Sequence, residues 1–351
     1  MEWMIYGANG YTGRLIATEA KRRGLRPVLA GRNAEAIHGI GESLGLETRV
    51  FDLEAGVGTA IEGMRLVLHC AGPFSRTSAP MLEACLGAGV HYLDITGEID
   101  VFEHAWRQDE RARRADVLVC PGVGFDVVPT DCLAAMLVRE VPSTTSLVLA
   151  FEAAGGPSRG TALTSLESLG SGGRVRKDGE LTHVPMAWKT RRIPFAHAER
   201  TAVTIPWGDV FTAWVSTGVP DVEVYLSMPP AALKQMQRMA RFSGLLRWGW
   251  VQSWLRRRVE SRPAGPDEDL RAKTGVEVWG EATGADGRRI QGTLSGPNGY
   301  DVTVSASLGI TEHVLHADVT GGYTTPSLLM GPDFAAGLPG VEVSLGDVLS
   351  G

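Results

Sequence analysis

The chain has 351 residues, of which 34 are basic and 40 acidic, with a formal net charge of −6 at pH 7. This length exceeds what a single hydrophobic core serves well, so we expect two domains. Because acidic residues are in slight excess, the overall charge gives no indication of nucleic-acid binding. The four cysteines, Cys70, Cys85, Cys120 and Cys132, show no CxxC or metal-like spacing, so we expect neither a disulfide framework nor a metal site.

The hydropathy pattern contains no apolar run of the roughly 18 residues that a membrane-spanning helix needs. The first residues also lack a basic segment followed by an apolar one, which a secretory signal would show. We therefore expect a cytoplasmic protein, with peripheral contact to a membrane left open.

The opening residues carry the most informative motif. A short apolar run leads directly into Gly7, Gly10 and Gly13, which are spaced three apart. Gly7 permits a tight turn, Gly10 lets the backbone approach a pyrophosphate, and Gly13 lets the following helix pack on the strand. Because 44 residues are glycine, this spacing can occur by chance and is weak evidence for a dinucleotide site by itself. A predicted helix over 12–24 and a second strand over 26–33 supply the βαβ context of a dinucleotide site.

The end of that second strand indicates which dinucleotide binds. An NAD-preferring fold usually has an acidic residue there, whereas this chain has Gly31, Arg32 and Asn33. A guanidinium suits a 2′-phosphate, so the sequence predicts NADP as cofactor. The alternative is that Arg32 is only a solvated residue at the start of the second helix.

Strands and helices alternate as far as about residue 120. Strands are predicted at 47–51, 66–70, 91–95 and 117–120, with helices at 79–88 and 100–115. This alternation of strands and helices predicts an α/β fold with a parallel, doubly wound Rossmann sheet. Ligands lie beyond the carboxyl ends of such strands, so we expect the ligand-binding residues within 71–74, 94–98 and 121–126. Asp52 would lie near the adenine ring, or would cap the next helix.

The pattern changes after about residue 130. Strands are predicted at 143–152, 203–209, 211–217, 221–227, 276–285, 288–295 and 300–307, which favours a second α+β domain with a mostly antiparallel sheet. A glycine-rich stretch with Ser158 as cap precedes a predicted helix to about residue 170. It is either an anion-accepting helix start or a capped loop tip. Residues 261–269 are predicted to form a mobile loop.

Five short motifs occupy the positions named above: 7–13 (GANGYTG), 30–32 (AGR), 70–74 (CAGPF), 91–98 (HYLDITGE) and 124–131 (GFDVVPTD). Together they resemble the saccharopine dehydrogenase-like oxidoreductases, within them the branch that includes trans-acting enoyl reductases of lipid and polyketide assembly. Weaker similarity continues through 160–162, 205–210 and 324–326. The resemblance implies an NADP-binding Rossmann domain over 1–130, a substrate domain over 131–320, and a segment over 321–351 that returns to the first domain.

The resemblance also implies cofactor contacts. Gly10, Tyr11, Thr12 and Arg32 would touch NADP, and residues 71–74 would lie along its nicotinamide half. Together with the strand-end residues, the candidate cofactor-binding set is Gly7, Asn9, Gly10, Tyr11, Thr12, Gly13, Arg32, Asn33, Asp52, Cys70, Ala71, Gly72, Pro73 and Phe74.

Hydride transfer also needs a proton donor. No Tyr-x-x-x-Lys, HExxH or Gly-x-Ser-x-Gly motif identifies one. Glu98 and Asp126 follow strand ends and are the leading catalytic candidates. The other donors near the predicted cleft are His91, Tyr92, Asp94 and Asp131. Each candidate also has a structural interpretation, such as Asp94 as a buried hydrogen-bond hub.

Two features bear on the substrate and partners. Saccharopine has several carboxylates, which favour convergent arginines, and Arg159, Arg174, Arg176, Arg191 and Arg192 are available. The basic segment, residues 231–259, contains seven basic residues and three tryptophans but no acidic residue. It suits a membrane surface, an acidic acyl-carrier domain, or a lid, and alternatively two ordinary helices that pack into the core.

The sequence therefore predicts an NADP-dependent oxidoreductase that reduces an activated carbon–carbon double bond of an acyl or polyketide-type substrate, free or carrier-bound. One alternative is imine reduction or amine oxidation, as in saccharopine metabolism. Another is a non-catalytic, membrane-associated NADP-binding protein. A homodimer is left open, and no nucleic-acid partner is expected.

Overall fold

The computed structural model describes residues 2–54, 56–154, 172–229 and 264–350, with short stretches at 156, 158–160, 162–163, 231–234, 236, 254, 257–259 and 261. Most of the predicted helix to residue 170 and most of the basic segment lie outside the described residues. The chain divides into two compact units. The first unit contains Met1–Asp126 and Tyr300–Leu329, and the second contains Val127–Gly299 and Met330–Gly351.

Within the described residues, the strands in chain order are β1 (Trp3–Tyr6), β2 (Val28–Gly31), β3 (Thr48–Val50), β4 (Leu66–His69), β5 (His91–Asp94), β6 (Leu118–Cys120), β7 (Thr144–Ala153), β8 (Gly173–Lys177), β9 (Glu180–Val184), β10 (Thr190–Pro194), β11 (Glu199–Thr204), β12 (Asp221–Ser227), β13 (Gly275–Gly284), β14 (Arg289–Pro297), β15 (Gly322–Tyr323) and β16 (Glu342–Leu345).

The α-helices of the same residues are α1 (Tyr11–Arg22), α2 (Ala34–Leu44), α3 (Val57–Ala60), α4 (Phe74–Ala88), α5 (Ile99–Trp106), α6 (Asp109–Ala115), α7 (Val128–Glu140), α8 (Asp209–Thr217), α9 (Glu268–Lys273), α10 (Gly299–His316) and α11 (Pro326–Met330). A 3-10 helix spans Pro332–Gly337. None of these described helices is both long and apolar enough to cross a bilayer.

The first unit is built on a parallel sheet in the order β15-β6-β5-β4-β1-β2-β3. The predicted doubly wound Rossmann sheet is therefore confirmed. Its central strands are short apolar runs that are buried throughout, because parallel sheets are covered on both faces. The strand order reverses between β1 and β4. At such a switch point the loops diverge and leave a crevice for a ligand.

Three elements of the first unit differ from prediction. Helix α4 begins at Phe74 rather than at 79, and the helix predicted over 100–115 is two helices, α5 and α6. Residues 300–307, predicted as a strand, belong to the long helix α10. Their alternating apolar and polar residues suggested a strand, but α10 is buried around most of its circumference. A helix in that environment needs no 3.6-residue apolar stripe.

The second unit is built on a mixed sheet in the order β10-β11-β12-β7-β13-β14-β16, with β8 and β9 forming a hairpin beside β12. The pairing of β12 with β7 is parallel, and the other pairings are antiparallel, so the predicted mostly antiparallel sheet is confirmed. Leu133 and Leu137 of α7 lie against Gly280 and Gly292, where a Cβ would leave no room for them.

Other elements of the second unit were predicted wrongly or not at all. Residues 211–217 form most of α8 instead of a strand, and Gly218, with a φ of +72°, ends that helix. Short apolar runs do not distinguish a strand from a buried helix. Helix α7, the β8–β9 hairpin and β10 were not predicted. The predicted loop at 261–269 includes the start of α9, which Asp267 caps.

The observed units also differ from the predicted boundaries of 1–130, 131–320 and 321–351. Residues 300–329 complete the first unit because α10 belongs to it and β15 pairs with β6. Residues 330–351 belong to the second unit because β16 pairs with β14.

Candidate active site

The glycine loop, residues 7–13, connects β1 to α1 at the switch point. The Gly7 N–H donates to the Ala30 carbonyl at 2.7 Å, and the Gly10 N–H donates to the Gly7 carbonyl at 2.9 Å. Gly7 has a φ of +86°, and a Cβ there would lie 2.7 Å from the backbone nitrogen of Ala71. The loop therefore requires glycine at this position on both conformational and steric grounds.

Gly10 and Gly13 have different roles in the glycine loop. A Cβ on Gly13 would lie 2.3 Å from the Gly7 oxygen, so the absence of a side chain lets α1 pack closely. A Cβ on Gly10 would meet, among the described residues, only that same oxygen, at 3.2 Å. Gly10 thus leaves an open surface where α1 presents its first N–H groups. This surface fits a pyrophosphate, which helix amino ends attract.

The remaining candidates in the glycine loop are the neighbours of Gly10 in the sequence. The Asn9 Oδ1 lies 3.0 Å from where a Cβ on Gly31 would stand, which brings Asn9 beside the end of β2. Tyr11 and Thr12 form the first turn of α1, and the Tyr11 ring meets the Tyr300 ring edge-on with centroids 4.9 Å apart.

Arg32 and Asp52 share the corner beyond β2 and β3, and both are exposed. Burial and the Asp52 carboxylate raise the pKa of the Tyr6 hydroxyl to about 12, while the positive charge of Arg32 opposes this rise. Asn33 caps α2 by accepting from the Ala36 N–H at 3.0 Å. Arg32 is therefore the exposed cationic candidate at this corner, and a guanidinium fits a 2′-phosphate.

Asp52 accepts a hydrogen bond from the Glu54 N–H at 2.8 Å. This bond closes a local turn, because α3 begins only at Val57, with Gly56 as its N-cap. The alternative that Asp52 caps the next helix is therefore wrong.

The proline loop, residues 70–74, connects β4 to α4 and contains a cis peptide bond between Gly72 and Pro73. Its start is fixed to the sheet, because the Cys70 N–H donates to the Tyr6 carbonyl at 2.7 Å. Burial raises the pKa of the Cys70 thiol, so this cysteine stays neutral. Gly7 approaches Ala71 closely, which brings the proline loop beside the glycine loop.

Two residues that sequence reasoning missed support the proline loop. The Thr77 hydroxyl lies 2.6 Å from the Ala71 carbonyl oxygen, 3.1 Å from the Pro73 carbonyl oxygen and 3.0 Å from the His69 Nε2. His69 is fully buried, and burial lowers its pKa to about 3, so the imidazole is neutral. No motif marks this pair, because His69 is an ordinary strand residue in the sequence.

Glu98 holds the other end of the proline loop. Its two carboxylate oxygens accept hydrogen bonds from the Phe74 N–H and the Ser75 N–H, each at 2.9 Å. These N–H groups lie in the first turn of α4, where an anion is favoured by unpaired donors and by the helix dipole. Glu98 is thus a capping residue supplied from the loop after β5.

Asp126 lies beside Glu98 at the same edge of the sheet. Its Oδ2 is 3.1 Å from where a Cβ on Gly97 would stand, so the carboxyl group packs against the residue that precedes Glu98. Asp126 is half-buried, and burial together with the negative charge of Glu98 raises its pKa to about 7. A carboxyl group with this pKa is about half protonated at pH 7, far more than an ordinary aspartate, which suits a general acid.

The other proposed donors have structural partners. The fully buried Asp94 accepts from the Tyr92 hydroxyl at 2.6 Å and from the Thr96 and Gly122 N–H groups at 2.9 Å each. Burial nevertheless raises the pKa of Asp94 to about 6. The structure thus shows Asp94 as the hydrogen-bond hub that was the alternative interpretation.

The two remaining donors lie elsewhere. His91, at the amino end of β5, accepts from the Leu118 N–H at 3.0 Å, so it is at the opposite edge of the sheet from the site. Asp131 is buried in α7 of the second unit. Among the described residues, no group of three or more His, Cys, Asp or Glu side chains is placed to hold a metal ion.

Helix α10 contributes to the site although it lies far along the chain. The Thr303 hydroxyl accepts from the Phe125 N–H at 3.0 Å, and a Cβ on Gly124 would lie 3.0 Å from the Thr303 Cγ2. Through these contacts α10 supports the segment that ends at Asp126. The sequence pattern predicted a strand at 300–307 and so gave no indication of this contact.

The glycine loop, the open helix end of α1 and the cationic corner at Arg32 define a dinucleotide-binding Rossmann domain. Residues 3–120 match the saccharopine dehydrogenase NADP-binding domain, so this part of the first unit is an NADP-binding domain similar to that of saccharopine dehydrogenase. The resemblance identified from the sequence motifs is confirmed, and so is NADP as the cofactor.

Curated relatives match part of the chain. A trans-acting enoyl reductase of Mycobacterium tuberculosis is 34% identical over 152 residues, which cover 39% of this chain and 35% of the relative. A saccharopine dehydrogenase-like oxidoreductase of Bos taurus is 27% identical over 150 residues, or 36% of this chain and 35% of the relative. The match thus spans about a third of the length of each relative.

A solved structure matches the whole chain in fold. The apo form of saccharopine dehydrogenase (L-Glu forming) from Saccharomyces cerevisiae superimposes with a TM-score of 0.68 over 99% of this chain and 100% of that one. The two sequences are 10% identical, so this match shows a shared fold and nothing about the substrate.

Proposed function

We propose that this protein is an NADP-dependent reductase of an activated carbon–carbon double bond in an acyl or polyketide-type substrate. The observation that carries the proposal is the pairing, at one sheet edge, of a dinucleotide-binding loop with Asp126, an acid whose pKa is raised to about 7. Reduction of a double bond needs both a hydride and a proton, so these two features match the two requirements.

The roles of the two candidate acids differ in this proposal. When bound, NADPH supplies the hydride for one carbon of the double bond. Asp126 donates its proton to the other carbon, and water then returns a proton to the carboxylate. Glu98 accepts two backbone hydrogen bonds as a helix cap, so its role is to hold the proline loop and to favour the protonated form of Asp126.

The second unit offers an argument against the saccharopine alternative. Arg176 is buried and donates to the Val210 and Gly179 carbonyls at 3.0 and 2.6 Å. Arg191 pairs with Glu281 at 2.7 Å, and Arg192 pairs with Glu199. Of the five arginines available for a substrate with several carboxylates, Arg176 and Arg191 are therefore held by partners within the protein, and Arg192 forms an exposed ion pair. An acyl substrate has no need of them.

The matched relative named a trans-acting enoyl reductase supports the same choice, although it covers only part of the chain. An enzyme that acts in trans must meet a separate partner that holds its substrate. The basic segment, residues 231–259, offers seven positive charges without an acidic residue. We propose that it docks an acidic carrier domain, with an anionic membrane surface as the alternative.

The test of the reaction is a screen for NADPH oxidation by the purified protein. Enoyl thioesters, free and carrier-bound, would be compared with pairs of an amine and a keto acid. We expect turnover with an enoyl thioester and none with the amine pairs. Turnover only with amine pairs would favour saccharopine-type chemistry, and turnover with neither would favour a non-catalytic NADP-binding protein.

The test of the partner is charge reversal of Arg256, Arg257 and Arg258 to Glu. NADPH affinity should stay unchanged, whereas carrier-dependent turnover should fall and should weaken with salt in the wild type, because exposed charges are screened over about 8 Å at physiological ionic strength. Sedimentation with anionic vesicles measures the membrane alternative separately. If the variant matches the wild type in both assays, the basic segment docks neither partner.

A further inference from the structure

The proline loop is held from two sides by side chains of different elements. On one side, Glu98 accepts from the Phe74 and Ser75 N–H groups. On the other side, the Thr77 hydroxyl lies within hydrogen-bond distance of the Ala71 and Pro73 carbonyl oxygens. Side chains of the protein itself therefore hold both N–H groups and carbonyl groups of the backbone at this loop.

The hydrogen-bond directions at Thr77 follow from its chemistry. A hydroxyl group has one proton, and carbonyl oxygens only accept, so Thr77 gives its proton to the loop, where the Ala71 oxygen is nearest at 2.6 Å. The His69 Nε2, at 3.0 Å, must then carry the hydrogen and donate to the Thr77 oxygen. Because the imidazole is neutral, its Nδ1 carries no proton.

The buried Nδ1 atom of His69 is not satisfied. Among the described residues it has no hydrogen-bond partner, although the whole side chain is removed from solvent. The surrounding rings of Tyr6, Phe74 and Tyr92, with centroids 5.5, 5.4 and 6.3 Å from the imidazole, offer it an apolar environment. An apolar side chain would suit this position better by packing alone. An apolar side chain could not, however, make the hydrogen bond from Nε2 to the Thr77 oxygen.

We propose that His69 and Thr77 are positioning residues, a relay in which His69 orients the Thr77 hydroxyl and Thr77 fixes the proline loop in the form that receives the cofactor. The relay rests on the NADP site and not on the identity of the substrate. It differs from an acid–base pair, because a neutral, buried imidazole contributes geometry and no proton transfer.

The relay acts on binding through preorganisation. A loop that is already ordered loses little conformational freedom when a ligand binds, so affinity is higher than for a mobile loop with the same contacts. Loss of the relay should therefore loosen the loop in the free protein and weaken NADPH binding. Glu98 remains in place in such variants, so the loss should be partial.

The test compares Thr77→Val, which removes the hydroxyl, with Thr77→Ser, which retains it. Amide hydrogen exchange at Phe74 and Ser75 is measured in the cofactor-free protein, and NADPH affinity by fluorescence titration. We expect about tenfold faster exchange in Thr77→Val from a more open loop. We expect about tenfold weaker NADPH binding in the same variant. Thr77→Ser should behave as the wild type.

The control for the replacement of a buried threonine by valine is Thr311→Val. Thr311 is a fully buried threonine of α10 whose hydroxyl has no hydrogen-bond partner among the described residues. This variant makes the same chemical change in the same unit, away from the loop, and should alter neither exchange at Phe74 and Ser75 nor NADPH affinity. Equal loosening in the two valine variants would show a packing effect and overturn the relay.

A second pair of variants keeps the test decisive if Thr77→Val does not fold. His69→Gln can place an amide N–H near the former Nε2, whereas His69→Asn can reach only the position of Nδ1. We expect His69→Gln to retain the slow exchange and His69→Asn to lose it. The reverse order, or no difference, would overturn the proposal. Because no substrate is used, a failed screen for enoyl turnover leaves this result unaffected.

Discussion

The glycine loop and the proline loop lie side by side at the switch point, yet they are held in different ways. The glycine loop is shaped by its own glycines, since Gly7 has a φ of +86° and a Cβ at Gly13 would lie 2.3 Å from the Gly7 oxygen of the same loop. The proline loop is shaped by side chains from outside it: His69 through Thr77, and Glu98 from the loop after β5. A loop of the first kind is encoded locally and can be recognised in the sequence. A loop of the second kind depends on tertiary contacts.

The comparison is most strongly tested at Gly10. Gly10→Val places a side chain on the open surface above α1, so NADPH affinity should fall by at least about 100-fold, or 2.7 kcal/mol. Fluorescence titration measures the affinity, and circular dichroism checks the fold. Gly39→Val in α2 is the control, because a Cβ there meets nothing within 4 Å. Unchanged NADPH affinity in Gly10→Val would place the pyrophosphate elsewhere.

The next prediction uses Glu98, the carboxylate that holds the proline loop from outside, and its neighbour Asp126. Asp126→Asn should lower turnover about 100-fold while NADPH affinity is retained. In the wild type, turnover should fall as the pH rises through about 7, because Asp126 then loses its proton. Glu98→Gln removes a negative charge, so the pKa of Asp126 should drop and this fall should move to lower pH.

The same carboxyl group allows a measurement that needs no substrate. The pKa of Asp126 is raised in the folded state, so the folded protein holds a proton that the unfolded chain releases. The free energy of unfolding should therefore decrease as the pH rises from about 4 to about 7. Denaturant titrations across this range should show the slope in the wild type and a smaller slope in Asp126→Asn. Identical slopes would mean that Asp126 has an ordinary pKa.

The smallest expected effect concerns the choice between cofactors. The glycine loop binds a pyrophosphate, which NADPH and NADH share, so the preference must come from outside it. Arg32→Ala should remove a roughly tenfold preference for NADPH, or about 1.4 kcal/mol. Arg22→Ala, at the opposite end of α1, makes the same change of charge and should leave the preference intact. An unaltered preference in Arg32→Ala would assign the discrimination to another residue.

The parts of the fold that were predicted correctly depend on local signals. The glycine loop, the parallel strands β1 to β6 and the strands β7, β12, β13 and β14 all follow from apolar runs bounded by turn residues. Arg32 and Asp126 were identified because each follows the end of a strand. Their position was predictable, whereas the raised pKa of Asp126 was not, since it depends on burial and on Glu98.

The parts that were missed depend on neighbours distant in the chain. Helix α4 begins five residues before its predicted start, where Glu98 supplies a cap that no adjacent residue provides. Residues 300–307 alternate like a strand, but the burial of α10 on most sides removes the stripe by which a helix is recognised. The link from His69 to the proline loop was invisible for the same reason.

The division of the chain into two interleaved units has a consequence for its synthesis. The first unit contains residues up to Asp126 but lacks α10 and the edge strand β15 until the ribosome has reached residue 329. Until then β6 is an unpaired edge, and the carbonyl groups of Val314 and Ala317, which later accept from Arg65, do not yet exist. Although amino-terminal domains often fold first during translation, this one must wait until residues 127–299 of the second unit have been made. We therefore expect a fragment cut at residue 130 to be aggregation-prone, and a fusion of 1–126 to 300–329 through a short linker to fold.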